Sequence, residues 1–200
     1  EERQMDRETP LSTRRLASGV TLSQARPWQT APVRCDSPAL EVMTDLTLVK
    51  AATVHPAETL QQAELRMIYQ GVRLLFVVSD VPAVEGLITT SDLRGDAAMR
   101  AVQLRGVRYD ELSVADVMTP LAMLDAIDLH DIRRASVSNV IATLQRQGRN
   151  HLLVVEGSAQ HPPQRLRGII SKAQIERQLG EMIDVAEIAH SFAELGRMLS

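Results

Sequence analysis

Apolar residues fall along this chain in two kinds of run, and the alternation between them occurs twice. Leu60, Ala63, Met67 and Ile68 recur at the three- and four-residue spacing of one helical face, as do Val137, Val140, Ile141 and Leu144. Each stripe is followed by a short continuous apolar run, at residues 74–78 and 152–155, which predicts a strand buried on both faces. Second strands are predicted at 84–88 and 166–170, reached by a turn at Pro82 and by a longer one through His161-Pro162-Pro163. Further helices begin near Ser91 and Lys172, and extended segments at 46–54 and 121–127 precede the stripes. Each half therefore reads strand–helix–strand–strand–helix.

Polar punctuation marks the same boundaries twice. Thr59 with Gln62 predicts a capping box ahead of the first stripe, and Ser136 caps the second. Gly71 and Gly148 follow as C-cap glycines. Before the halves, Ser37-Pro38-Ala39-Leu40-Glu41-Val42-Met43-Thr44 matches Ser113-Val114-Ala115-Asp116-Val117-Met118-Thr119-Pro120. Both predict a serine N-cap and a single helical turn, the first with Pro38 at N1. After the strands, Gly86-Leu87-Ile88-Thr89-Thr90-Ser91-Asp92 is answered by Gly168-Ile169-Ile170-Ser171-Lys172-Ala173-Gln174. The offset is 75 residues at Met43 and Met118, 77 at Gly71 and Gly148, and 82 at Gly86 and Gly168. It grows only where loops absorb insertions, as in a true duplication. One difference carries chemical weight: the acid Asp92 is replaced by the amide Gln174.

Composition narrows the function. At 200 residues the chain has room for one domain or for two small ones sharing an interface. Aromatics are only 2%, so Leu, Val, Ile, Ala and Met must build the core, and base stacking on single-stranded nucleic acid is disfavoured. A net charge of −3 gives no global basic surface for nucleic acid or anionic membrane. Cys35 is the single cysteine, which excludes an internal disulfide and suits a reducing compartment. Apolar runs are too short to span a bilayer and residues 1–30 lack a signal-peptide core, so a soluble, cytoplasmic protein is expected. Residues 1–36 show no period and predict a flexible, solvated tail with Trp28 near its end. Ile188, Phe192, Leu195 and Leu199 share one helical face, which predicts a helix within 182–200 covering its own module or a dimer partner.

The order and duplication of these phrases resemble a tandem pair of CBS domains, named after cystathionine beta-synthase and called a Bateman module. The similarity covers about residues 38–180. It rests on Val42-Met43-Thr44, residues 71–78 and 86–92 in the first half, and on Val117-Met118-Thr119-Pro120, residues 148–155 and 168–174 in the second. The resemblance implies an α/β (α+β) fold of two βαββα repeats, at 37–108 and 109–181, packed as a pseudo-twofold pair. It also implies clefts binding an adenosine-containing ligand (AMP, ADP, ATP or S-adenosylmethionine), a homodimer, and regulation of another protein. No required cofactor and no metal are implied.

The residues themselves support a nucleotide site in the first repeat. Asp92, in the first turn of a helix after a strand, suits the ribose diol. Thr89 at the strand end directs its hydroxyl toward phosphates at that helix N-terminus, and Gly86 permits close backbone approach. The resemblance assigns a basic phosphate contact to the position before the second strand, which is Arg73. Arg94 adds charge, and Val54 and Leu75 would face the base. The corresponding second site is expected to be weaker, with Ser171, Gln174, Gly168, Asn150 and His151. An amide forgoes charge-assisted hydrogen bonds worth about 1.5–3 kcal/mol each.

Two other readings remain at this point. Thr89-x-x-Asp92 is also a helix-start signature, so the alternative to the favoured nucleotide site is a ligand-free dimerisation scaffold whose repeated phrases only cap helices. An enzyme is disfavoured by the lack of a nucleophile–base signature, a Walker-type loop or metal-ligand spacing among the histidines.

Overall fold

The computed structural model describes residue 15, residues 31–158 and residues 161–185. Trp28, with most of the expected tail, and the apolar face from Ile188 to Leu199 lie outside the described residues. The first half comprises a 3-10 turn (Ala39–Val42), β1 (Met43–Asp45), β2 (Thr53–Val54), α1 (Leu60–Gln70), β3 (Leu74–Val77), β4 (Gly86–Thr89), α2 (Thr90–Arg94) and α3 (Asp96–Arg105). The second comprises α4 (Val114–Val117), β5 (Thr119–Pro120), β6 (Ala126–Asp128), α5 (Leu129–Ile132), α6 (Val137–Gln147), β7 (His151–Ser158), β8 (His161–Ser171) and α7 (Lys172–Leu179). This is the expected α/β architecture of two strand–helix–strand–strand–helix units.

The local rules act as anticipated at the first long helix. Thr59 Oγ1 accepts from the Gln62 N–H at 3.2 Å while Gln62 Oε1 accepts from the Thr59 N–H at 2.8 Å. Gly71 ends α1 and Gly148 ends α6 in the left-handed region, at φ 64° and 59°. Ser136 occupies the α6 N-cap, but the reaching-back partner is Asn139, whose Oδ1 accepts from the Ser136 N–H at 2.9 Å. Parallel strand pairs need a crossover. Accordingly α1 links β2 to β3, and α6 lies between the paired β6 and β7.

The two sheets have the orders β2-β3-β4-β5 and β1-β8-β7-β6. Each repeat thus lends its leading strand to the other's sheet: β5 pairs with β4, and β1 with β8. Arg167 binds Asp45 across the β1–β8 junction, reinforcing that exchange. Between the sheets, Leu74, Phe76 and Leu87 meet Leu153 in a buried cluster with Leu166 and Ile169 against it. Leu75, Val77 and Ile88 point the other way, into a core under α1 and α3. The period of two explains why β3 is apolar throughout: both of its faces are buried.

Several expectations need correction. Ile68 is 63% exposed and leaves the α1 stripe to Leu60, Ala63 and Met67. The segment 46–54 is extended only at Thr53–Val54, and 121–127 begins with a 3-10 turn. Pro38 rather than Ser37 precedes the first turn, because the Ser37 hydroxyl accepts from the Arg34 N–H at 3.0 Å. The helix after β4 breaks at Gly95 into α2 and α3. Residues 31–36, counted with the tail, are bound to the second half. Val33 is buried in its core, and its N–H donates to the Gln178 carbonyl at 3.0 Å.

Candidate functional site

A cleft of about 710 Å³ opens between the halves where β4 ends and α2 begins, within the size range of small-molecule sites. Thr89 is the last residue of β4 and the N-cap of α2, so strand and helix together fix Asp92 one turn in. Asp92 Oδ2 accepts from the Thr89 N–H and from Thr89 Oγ1, both at 2.7 Å. Its other oxygen, Oδ1, accepts no hydrogen bond from any described residue. The helix-start role therefore engages one oxygen of a carboxylate whose residue also lines the cleft.

The opposite wall is the turn from α6 into β7, with Gly148, Arg149, Asn150 and His151. The Asn150 carbonyl accepts from the Lys172 N–H at 2.9 Å, which pins that turn to the start of α7. Burial pushes the His151 imidazole down to about 4, and the nearby Arg73 guanidinium adds to the shift. His151 is thus neutral near pH 7, able to donate at one ring nitrogen and accept at the other. Leu74, Leu87 and Leu153 supply apolar surface, and Met118, Thr119 and Pro120 close one side through β5. Arg100 of α3 and Arg149 also line the cleft, with Asp96 and Asp125. Neither arginine forms an ion pair with a described residue.

The cleft brings together Thr89, Asp92, Asn150 and His151, which the sequence had divided between two sites. Arg73 and Arg94 instead line a shallower depression of about 270 Å³ beside α1, where Arg94 pairs with Glu64 at 2.7 Å. Val54 and Leu75 are core residues, 2% and 0% exposed. The backbone that Gly86 admits is that of Thr119, and Gly168 likewise lies beneath Met43, whose Sδ would be 2.5 Å from an added Cβ. Around the second repeat's helix start, Ser171 caps α7, accepting from the Gln174 N–H at 3.2 Å. Gln174 is only 6% exposed and donates to Gln178 Oε1 at 2.8 Å. Gln178 in turn donates to the carbonyls of Ala31 and Glu41, each at 3.1 Å. The chain's own entering segment thus binds the last turn of α7, and Gln174 is held internally between Gln178 and Arg177, whose Nη1 donates to its Oε1 at 3.1 Å. Sequence reasoning missed Arg100 and Arg149; Arg149 adjoins the noted Asn150, while nothing in the repeat marks Arg100.

No family model and no curated protein sequence matches the chain. Solved structures do. The chain is similar to an uncharacterized conserved protein from Pyrococcus horikoshii, at 21% identity over 77% of this chain and 100% of that one, with a TM-score of 0.53. It is also similar to CBSX2 in complex with AMP, at 19% identity over 70% of this chain and 94% of that one, with a TM-score of 0.50. The architecture is an α/β repeat pair with a cleft lined by residues of both repeats. It is the tandem CBS-domain fold, the Bateman module. Among the described residues no helix is long and apolar enough to cross a membrane.

Proposed function

We propose that the chain is a regulatory module that binds an adenosine-containing ligand, AMP, ADP, ATP or S-adenosylmethionine, in the cleft between its repeats. The observation that carries this reading is Asp92: its carboxylate is fixed by the cap through one oxygen, its other oxygen accepts from no described residue, and it lines a cleft of nucleotide size. A carboxylate so placed accepts hydrogen bonds from vicinal ribose hydroxyls, and the leucine-lined surface accepts a base. The similarity to a structure that holds AMP supports the same ligand class. Binding is non-catalytic and occurs at this one site, since Gln174 is engaged internally. A ligand touching both repeats shifts their relative angle only if it binds one arrangement better than the other. The exposed Leu65, Ile68 and Tyr69 on α1 support a homodimer in which that shift reaches a regulated protein in the cytoplasm.

The engagement of Asp92 Oδ2 by the cap favours a second reading, a ligand-free scaffold. Calorimetric titration of the purified chain with each of the four ligands separates the two. Binding that weakens more than tenfold in Asp92→Asn, which keeps an acceptor for the cap, is expected. No binding by any of the four leaves the scaffold.

A further inference from the structure

Leu65, Ile68 and Tyr69 stand three and four residues apart on α1 and form an exposed apolar triad, with Tyr69 the most open at 84%. Ile68 also lines the shallow depression of about 270 Å³, together with Met67, Gly71, Val72 and Arg73. A projecting ring and a concavity therefore adjoin on one surface. The charges of α1 are closed within the chain: Glu64 pairs with Arg94 at 2.7 Å and Arg66 with Glu58 at 2.6 Å. Its other exposed polar residues, Gln61, Gln62 and Gln70, are uncharged. Among the residues lining the depression, Arg73 forms no ion pair with a described residue. A surface with so little free charge does not repel a copy of itself and gives a charged peptide little to recognise.

The second repeat lacks this surface. The offset of 77 residues between Gly71 and Gly148 carries Leu65, Ile68 and Tyr69 onto Ala142, Gln145 and Arg146. Gln145 is engaged by its own chain, donating to the Asp184 carbonyl at 3.0 Å, and Arg146 puts an exposed charge where Tyr69 stands.

We infer that two copies of this chain meet through their first repeats alone, the Tyr69 ring of each copy seated in the depression of the other beside Arg73. This rests on the homodimer reading and names the face that makes it. An isologous contact requires only that ring and concavity share one surface, because a twofold axis passing between them sets each opposite its counterpart. A tyrosine ring brings a large apolar area with few torsions to fix, and its face stacks on a guanidinium. The second repeats stay outside the contact, so the dimer does not close into a ring of four repeats.

Sedimentation analysis of the full chain tests the contact. The wild type should be dimeric at about 100 µM, where even a micromolar interface is formed. Tyr69→Ala and Ile68→Asp should each weaken self-association by at least roughly tenfold, as for the central residues of an interface. Arg146→Glu should leave it unchanged. Both α1 side chains are exposed, so the variants retain the folded core, which circular dichroism checks. A dimer that persists in both α1 variants overturns this contact and leaves a homodimer built on another face. Weakening by Arg146→Glu overturns the restriction to the first repeats. A wild-type monomer at about 100 µM overturns the homodimer reading with it. A monomer that loses thermal stability in Tyr69→Ala also overturns the contact, and assigns the triad to a segment of the same chain.

Discussion

Gly86 lies directly beneath the backbone of Thr119, so closely that a Cβ on Gly86 would overlap the Thr119 carbonyl oxygen. The register places Leu87 opposite Thr119 and Gly86 opposite Pro120, joining residues of two repeats in one sheet. Thr119 and Pro120 also line the cleft that Thr89 bounds three positions after Gly86. Gly86→Ala must displace backbone rather than a flexible side chain. It should lower unfolding stability by about 1–3 kcal/mol and also weaken AMP binding by moving β5. Gly71→Ala meets open space but stands at φ 64°, so about 1–2 kcal/mol of strain is expected with AMP affinity unchanged. Urea denaturation and AMP titration of both variants check the contrast.

Asp92 and Gln174 occupy matching helix starts with opposite surroundings. Gln174→Glu removes the donor to Gln178 Oε1 and places an acid where exposure is 6%. Burial should raise the folded-state pKa of that acid by more than Arg177, which donates to Gln174 Oε1 at 3.1 Å, lowers it, so the variant is least destabilised when the acid is protonated and loses stability as pH rises above about 4.3. A loss of about 2–4 kcal/mol at pH 7 that shrinks toward pH 4 is the expected outcome in denaturant titrations. A Gln174→Glu protein as stable as wild type at pH 7 would mean that Arg177 neutralises the buried carboxylate.

Acidification should destabilise the wild type through three groups. Burial alone raises the carboxyl pKa values of Asp116 and Glu58. That effect is outweighed for Asp116 by hydrogen bonds from Ser113 and by Arg105, and for Glu58 by the His55 N–H and Arg66. Both therefore end below their ordinary values, and their stabilisation is present above the unfolded-state value and lost as pH falls through the folded one. His151, held down to about 4 from 6.5, also favours the native state above 6.5 and loses that contribution as pH falls toward 4. Stability measured from pH 7 to 3.5 should fall in two stages, and His151→Gln should flatten the stage between 6.5 and 4.

Val33 and Gln178 bind the entering segment to the second repeat. Val33→Ala should cost about 1–2.5 kcal/mol by opening a cavity in that core. Thermal unfolding measured beside Leu48→Ala, whose side chain is 75% exposed and should be nearly neutral, checks that this segment is structural.

The sequence by itself determined the two units. Capping boxes, C-cap glycines and apolar periods are decided by neighbours within a few residues, so Thr59, Gly71, Gly148 and the β3 run could be read directly. It also marked Thr89 and Asp92 as a pair, because a helix N-cap is local chemistry. Only the tertiary structure decided which residues share a cleft. The exchange of β1 and β5 between sheets brought Asn150 and His151 opposite Asp92, turned Arg73 toward a different depression and covered Gln174. Such placements follow from sheet register and from long-range apolar burial between Leu74, Phe76, Leu87 and Leu153, contacts between residues far apart in the chain that no local pattern encodes.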